Sequence, residues 1–245
     1  MISFLATLQL LTAVGLYSPV SDHAVYLEDT AVIRKTADFQ VSGKGDNAAW
    51  VKSGWQEFIK IDSGGKVYAS KSKMLYSEKG IYLLFQGEDD VITTKNYEDD
   101  DDIYEGDVFE FFLHTDPAKP AYFEYEINQL NKQLVLILSG APNKNLAWSP
   151  WRHEYNKDPL IRKKTVLGSG TKKPGAKING WTAEIFIPYE VLGLLPGLPP
   201  KTGMVWRANF CRIDYDSDKM IQYTWSKKIN SSFHDLDKLG YIIFE

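Results

Sequence analysis

Short runs in which apolar and polar residues alternate recur along the whole chain, and turn-forming residues separate them. The runs are rich in Val, Ile, Phe and Tyr and are bounded by Gly, Pro, Asn and Asp, a composition typical of β-strands. No long segment keeps the spacing of an amphipathic helix. The pattern therefore predicts an all-β protein, specifically an antiparallel two-sheet β-sandwich of jelly-roll or immunoglobulin-like type with a few short helical turns.

The alternation also predicts the positions of the individual strands. They cover residues 32–36, 39–41, 55–61, 66–77, 81–86, 106–114, 122–128, 132–138, 160–167, 180–187, 204–213, 221–225 and 240–244. A long acidic loop is predicted over 87–105 and a second long loop over 140–159, and loops of this length are often functional. The second loop contains Trp148 and Trp151, which either extend a binding platform or cover an edge of the core.

The strand within Ile103–Asp116, IYEGDVFEFFLHTD, carries a carboxylate where a buried residue is expected. Side chains alternate along a strand, so Glu110 shares a face with Val108 and Phe112. Burying a charge costs several kcal/mol unless it is paired or hydrogen-bonded. Glu110 therefore indicates a polar binding site on this strand.

The strand over 122–128 repeats this arrangement. One face carries Phe123, Tyr125 and Ile127, and the other carries Glu124 and Glu126. If the two strands are neighbours, Glu110, Glu124 and Glu126 form a cluster of carboxylates. Three interpretations stay open: the cluster binds a ligand, it is neutralised by Arg207 and Arg212, or it supplies an acid/base pair.

Composition narrows the range of partners. The formal net charge is only −4 and no basic patch stands out, which argues against nucleic acid. The chain has 14 Tyr, 12 Phe and 7 Trp, and this number of rings suits a surface that stacks on sugars or other flat ligands.

The N-terminus predicts the cellular location. The largely apolar run from Ile2 to Tyr17 is too short for a confident membrane span and suits the apolar part of a secretory signal. We therefore expect a signal peptide over 1–21, one domain over 22–245, no stable membrane insertion, and a secreted or periplasmic protein. The alternative is an N-terminal strand or core segment. The only cysteine, Cys211, excludes an intramolecular disulfide and a lipoprotein anchor directly after the leader.

Seven motifs together resemble the family 9 carbohydrate-binding modules. In chain order they are VSGKGDNAAW, IYLLFQGED, GDVFEFFLHTD, YFEYEIN, GWTAEIFIPYEVL, WRANFCRID and SSFHDLDKLGYIIF. The resemblance runs from about Thr36 to the C-terminus. It implies a non-catalytic β-sandwich that binds the ends of polysaccharides or small sugars and holds structural calcium, and it requires no other cofactor.

The resemblance also implies a binding site. The two aromatic residues that clamp a sugar ring fall on Tyr104 and Phe233. The polar partners fall on Glu110, Glu124, Asn209, Lys219 and Asn230. Two departures change the expected specificity: the family's clamp tryptophans are replaced, and the position aligned with Glu124 is basic in the best-known members. We expect an oligo- or polysaccharide ligand and a monomer.

Acidic residues of the 87–105 loop and the following strand are candidates for calcium, because hard cations prefer clustered oxygen ligands. Asp89, Asp90 and Asp107 are the first choice, with 99–102 as further candidates; the alternative is a solvated acidic loop. The motif DYDSD at 214–218 begins like an EF-hand loop, but Lys219 and Trp225 replace its glycine and its bidentate glutamate. We interpret it as a turn between strands.

Two other functions remain as alternatives. The first is a glycoside-processing enzyme that uses the carboxylate cluster of Glu110, Glu124 and Glu126. The second is a sandwich that holds haem between Met220 and His234. The histidines lack the spacing of a metal site, and no nucleophile motif is present.

Overall fold

The computed structural model describes residues 29–141, 144–151, 160–217 and 219–245. The predicted signal peptide over 1–21 lies outside the described residues. Within those ranges, no helix is long and apolar enough to cross a membrane.

The described chain consists of strands and short 3-10 turns, which confirms the predicted all-β class. The strands are β1 (Thr30–Lys35), β2 (Gln56–Glu57), β3 (Ile59–Lys60), β4 (Ser70–Tyr76), β5 (Gly80–Gly87), β6 (Val108–His114), β7 (Ala121–Asn128), β8 (Gln133–Ala141), β9 (Lys144–Pro150), β10 (Arg162–Leu167), β11 (Trp181–Pro188), β12 (Val205–Asp214), β13 (Ile221–Thr224) and β14 (Gly240–Phe244). The 3-10 turns are Ala48–Lys52, Ile103–Glu105 and Leu236–Lys238.

The strands form two sheets that pack as a sandwich. Sheet A has the order β1-β14-β12-β6-β7-β8-β9, and β13 extends it by pairing with β12 and β3. Sheet B has the order β10-β11-β5-β4-β1, and β2 pairs with β4. Almost all neighbours are antiparallel, as predicted. The exception is β1, which pairs in parallel with β14 through Thr30–Ile33 and with β4 through Arg34 and Lys35, so it joins the two sheets.

Aromatic rings fill the space between the sheets. Phe109 of sheet A stacks on Phe85 of sheet B at 5.0 Å between ring centroids and lies 4.2 Å from Trp181. Phe111 and Phe210 stack within sheet A at 5.3 Å. All of these rings are buried. Because side chains alternate, this packing commits the odd-numbered residues of β6 and β7 to the core and turns the even-numbered ones to the outer face of sheet A.

The outer face of sheet A carries a second apolar cluster. It contains Val108, Phe112, Tyr122, Leu134, Leu136, Leu138, Cys211 and Ile213 from the strands, and Ile103, Ile229, Phe233, Leu236 and Leu239 from the segments that cover them. This face is therefore buried as well, although it lies outside the sandwich core. The glutamates of β6 and β7 are on it.

Two predictions about local structure were wrong. Residues 39–41 form no strand. Of the predicted loop over 140–159, residues 140–141 end β8 and 144–150 form β9, whereas 142–143 and 152–159 lie outside the described residues. The segment β9 contains Asn145 and Pro150, which read as loop residues in sequence. Proline is accepted on an edge strand, and β9 is the edge of sheet A.

Candidate functional site

A cavity of about 320 Å³ lies on the outer face of sheet A. Its described lining combines acids, leucines, aromatic rings and small polar side chains. The lining residues are Asp102, Tyr104, Glu110, Glu124, Glu126, Leu134, Leu136, Leu138, Ile213, Gln222, Ser231, Ser232, Phe233 and His234. The volume is at the lower end of the roughly 300–1,000 Å³ found for small-molecule sites.

The register of three strands brings the glutamates together. Glu110 on β6 lies directly opposite Glu126 on β7, and Glu124 is two residues away on the same face. One carboxylate oxygen from each of these three residues lies within 4.8 Å of the other two. On the far side of β7, Glu124 pairs with Leu136 and Glu126 with Leu134. The cluster predicted from alternation is therefore confirmed in geometry, and a row of leucines borders it.

Two loop segments supply the aromatic part of the cavity. The 3-10 turn Ile103–Glu105 brings Tyr104 to the rim, where 38% of the residue stays exposed, and its carbonyl accepts a hydrogen bond from Tyr215. Phe233 comes from the loop between β13 and β14 and packs edge-on against Phe112 with 6.1 Å between ring centroids. It is only 4% exposed. Tyr104 is therefore the accessible ring, and Phe233 forms a wall.

Burial changes the protonation of all three glutamates. It raises the pKa of Glu110 well above its ordinary value, with a further contribution from the charge of Glu124. Burial raises the pKa of Glu124 to about 8, although a hydrogen bond with Glu126 lowers it. The pKa of Glu126 is also well above its usual range because of burial and then repulsion from Glu124 and Glu110. At neutral pH the cluster keeps protons, so it offers both donors and acceptors.

The two arginines considered as partners of this cluster are engaged elsewhere. Arg207 donates to the Leu239 carbonyl at 2.8 Å and lies over the Tyr241 ring. Arg212 is buried and pairs with Asp89 at 3.2 Å and with Asp214. Among the residues that the structure describes, neither arginine neutralises the glutamates, so that interpretation is excluded.

Three of the predicted polar residues do not line the cavity. Asn209 is fully buried, and its side chain bonds to Cys211, Thr224 and the backbone of Ser226. Lys219 donates to the Ser63 carbonyl at 2.5 Å. Asn230 accepts from Lys238 at 3.0 Å. Of the predicted site, the structure brings together Tyr104, Glu110, Glu124 and Phe233.

A second group of carboxylates lies where the acidic loop meets β6 and β12. Oxygens of Asp89, Asp107 and Asp216 lie within 4.8 Å of one another. Asp89 and Asp107 were expected here, whereas Asp90 is exposed and pairs with Lys66. Asp216 belongs to DYDSD, the motif interpreted as a plain turn, so its contribution was missed.

These aspartates fit a hard cation. Burial and then repulsion from Asp216 and Asp214 raise the pKa of Asp89 to about 7 despite the nearby Arg212, and burial and the charge of Asp89 raise the pKa of Asp107. Gln129 donates to both Asp89 and Asp107, yet its own buried Oε1 accepts no hydrogen bond from the described residues. An oxygen-rich, negatively charged group of this kind is what Ca²⁺ prefers.

Comparison with known proteins identifies the family. The model of carbohydrate-binding family 9 matches residues 40–244. The chain belongs to this family. The resemblance inferred from the seven motifs is therefore confirmed over nearly the same range. No curated protein matches the chain by sequence.

Solved structures of other proteins resemble this chain. A candidate carbohydrate-binding protein from Bacteroides uniformis is 15% identical, with a TM-score of 0.72, covering 89% of this chain and 99% of that one. A family 9 carbohydrate-binding module from Caldicellulosiruptor kristjanssonii, solved in complex with cellotriose, is 15% identical with a TM-score of 0.60, covering 88% and 93%. The complex of a family 9 module from the same organism with glucose is 15% identical with a TM-score of 0.61, covering 88% of this chain and 95% of that one. The TM-scores show that these proteins share the fold of this chain.

Several lining residues were missed from sequence. Glu126 was recognised as part of the cluster but not as a site residue, and Asp102 was assigned only to the acidic loop. The leucines of β8 gave no signal, because alternate apolar residues on a strand usually face a core. His234 was noted only as a haem ligand; it lines the cavity and bonds to Tyr122 at 2.9 Å, whereas Met220 is surface-exposed and is not among the lining residues.

Proposed function

We propose that this family member binds a carbohydrate without catalysis, in the cavity on the outer face of sheet A. The observation that carries the proposal is the combination within one cavity of an accessible ring, Tyr104, with the carboxyl groups of Glu110 and Glu124. Aromatic rings stack on the C–H faces of sugars, and carboxyl groups bond to their hydroxyls.

Phe233 and the leucines of β8 support the proposal because they provide apolar surface for a sugar ring. They line the cavity beside the polar groups, so a bound ring meets apolar surface next to hydrogen-bonding groups. Sites of this kind use a mostly apolar surface for affinity and a few polar groups for orientation. The small volume favours one or two sugar units at the end of a chain.

The arrangement of the glutamates supports binding over hydrolysis. Glycosidases place two carboxyl groups about 5–5.5 Å or about 6.5–9.5 Å apart on either side of the scissile bond. Here oxygens of three carboxyl groups converge within 4.8 Å on one wall, formed by neighbouring strands. A bond cannot be flanked by groups that all lie on the same side of it.

Three further features complete the proposal. The aspartate cluster around Asp107 holds a structural Ca²⁺, supported by its buried oxygens and the carboxylate-rich donor set. The protein acts as a monomer. It is secreted or periplasmic, and the apolar run from Ile2 to Tyr17 supports this location. In that setting its role is the capture of polysaccharide.

Isothermal titration against a panel of sugars tests the binding function. Glucose and cellotriose are the first probes because family 9 structures contain them. We expect saturable binding that Tyr104→Ala weakens and Trp55→Ala leaves unchanged. Trp55 is a matched aromatic control, since it lies beside Lys71 and Lys73 on sheet B and does not line the cavity. If no sugar in the panel binds, the proposed function is wrong.

A further inference from the structure

The cavity carries an excess of acidic groups. Four of its lining residues are acids, namely Asp102, Glu110, Glu124 and Glu126, and none of the described lining residues is Lys or Arg. The Nδ1 atom of His234 lies 3.8 Å from Glu124, but burial lowers the pKa of His234, so the imidazole is neutral near neutral pH. A ligand that enters this cavity therefore meets carboxyl groups with no described cation beside them.

Two buried carboxylate oxygens of residues that line the cavity have no partner outside the glutamate cluster. Oε2 of Glu124 and Oε2 of Glu126 are buried and accept no hydrogen bond from any described residue outside the glutamate cluster. The two residues are only 4% and 1% exposed. Leaving a buried polar oxygen unpaired is costly, so each such oxygen calls for an explanation, and a ligand that completes the site supplies one.

The other titratable groups that face the glutamates do not replace the missing cation. They are Asp102 and Tyr104 from the segment before β6, Tyr122 on β7, Cys211 on β12, Tyr215 after β12 and His234 from the loop before β14. Burial raises the pKa of Tyr122 and of Cys211, so both are neutral. Asp102 adds negative charge.

The surroundings distinguish an organic cation from a metal ion. Ca²⁺ takes 6–8 oxygen ligands. The glutamates are bordered by Leu134 and Leu136 on the β8 side and by Cys211, opposite Glu110, on the β12 side. Apolar neighbours of this kind suit the carbon skeleton of a ligand that carries one ammonium group, and Tyr104 and Phe233 suit the faces of its ring.

We propose, resting on the carbohydrate-binding function proposed above, that the cavity selects an amino sugar and that its protonated amino group lies against Glu110, Glu124 and Glu126. The ring of the sugar then stacks on Tyr104 and packs against the leucines of β8. A charge-assisted contact between ammonium and carboxylate is stronger than a contact between neutral groups. The ligand thus provides the cation that the described part of the cavity lacks.

Titration with three monosaccharides on one pyranose frame tests this selectivity near neutral pH. Glucosamine carries the ammonium group, N-acetylglucosamine carries a neutral amide at the same carbon, and glucose carries a hydroxyl. We expect glucosamine to bind at least about tenfold more tightly than either neutral sugar, the factor that about 1.4 kcal/mol produces. Because an ammonium group favours ionised carboxylates, binding of glucosamine should also release protons, which titrations in buffers of different ionisation enthalpy detect.

Conservative variants locate the source of the preference. Glu124→Gln and Glu126→Gln should each reduce the glucosamine preference by at least about threefold, because each removes a carboxyl group that ionises beside the bound ammonium group. Glu105→Gln is the matched control: Glu105 is exposed, pairs with Lys95 at 2.6 Å and does not line the cavity, so this variant should keep the full preference. Thermal unfolding shows whether each variant folds.

The remaining outcomes of these titrations distinguish failure of the amino-sugar proposal from failure of the carbohydrate-binding function. If glucose binds as tightly as glucosamine, the amino-sugar selectivity is wrong while the carbohydrate-binding function stands. If no sugar binds, both are wrong. If calcium chloride alone binds, and this signal disappears in Glu126→Gln but persists in Asp216→Asn, the glutamates form a metal site and the amino-sugar proposal is overturned.

Discussion

Each sheet buries glutamate on its outer face, but the hydrogen bonding of these carboxyl groups differs between the two sheets. On sheet B, Glu184 accepts hydrogen bonds from the backbone of Ser42 at 2.7 Å, the backbone of Gly43 at 2.8 Å and the indole of Trp50 at 2.8 Å. On sheet A, Oε2 atoms of Glu124 and Glu126 accept none from any described residue outside the glutamate cluster. A fully bonded buried carboxylate holds a loop in place, whereas an unsatisfied cluster is suited to a ligand.

The largest expected effect is the pH dependence of stability on sheet A. A carboxyl group whose folded pKa is raised binds a proton more tightly in the folded than in the unfolded state, so stability is lost as pH rises through that window. For Glu124 the window extends from its ordinary 4.5 to about 8. The free energy of unfolding should fall by up to about 1.4 kcal/mol per pH unit for each such proton.

Urea denaturation of the wild type and of Glu124→Gln at several pH values measures this effect. Glutamine cannot ionise, so the variant should show a flatter profile and exceed the wild type in stability near the upper end of the window. Equal slopes in the two proteins would show that Glu124 has no raised pKa.

The next effect comes from making the same substitution on sheet B. Glu184→Gln replaces an acceptor oxygen by an amide N–H₂ that faces N–H donors, and the variant should lose about 3 kcal/mol of unfolding free energy. Glu126→Gln, by contrast, replaces a carboxyl group that burial keeps protonated with a neutral side chain of nearly the same shape, and should lose nothing. Chemical denaturation near neutral pH compares the two. If both variants lose the same free energy, the distinction between the two faces fails.

The aspartate cluster is intermediate between the fully hydrogen-bonded Glu184 and the glutamate cluster of sheet A, because Arg212 neutralises only part of its charge. Calcium should raise the melting temperature, and at 100 times its dissociation constant it should add about 2.7 kcal/mol of stability. Asp216→Asn should abolish this gain, whereas Asp90→Asn should keep it, since Asp90 pairs with Lys66 at the surface. A melting temperature that is the same with calcium and with chelator would rule out the ion.

The smallest effect concerns the two rings of the cavity. Tyr104→Ala should weaken sugar binding by roughly tenfold, or about 1.4 kcal/mol, without lowering the melting temperature, because Tyr104 is partly exposed at the rim. Phe233→Ala should weaken binding and also destabilise the fold, since this ring is buried against Phe112. Titration and thermal unfolding of both variants separate the roles. A stability loss in Tyr104→Ala would show that its ring supports the core.

Alternation along the strands predicted the sandwich and the meeting of Glu110, Glu124 and Glu126. The same rule excludes Arg212 as their partner. Arg212 shares its face of β12 with Phe210 and Ala208, which are in the core, whereas Cys211 and Asn209 share the outer face with Glu110. The alternation of side chains along a strand therefore predicts which residues can form ion pairs as well as which residues pack in the core.

The sequence pattern did not predict where the loops place their side chains. The positions of Tyr104 and Phe233 came from the family resemblance, because 3-10 turns and irregular segments have no hydrophobic period. Asp216 reached the aspartate cluster through hydrogen bonds with Tyr68 and Thr93, which lie far away in sequence. The strand β9 was missed because pairing at a sheet edge overrode its loop-like composition.

The parallel pairing of β1 with β14 determines how the molecule resists being pulled. Thr30 is opposite Tyr241 and Ile33 is opposite Phe244, so the chain enters β1 at one end of the pair and leaves β14 at the other. A pull applied at residues 29 and 245 would slide the strands past each other and load their hydrogen bonds together, instead of opening them one at a time. We therefore expect this pair of strands to resist a pull between residues 29 and 245 more strongly than strands whose hydrogen bonds open one at a time.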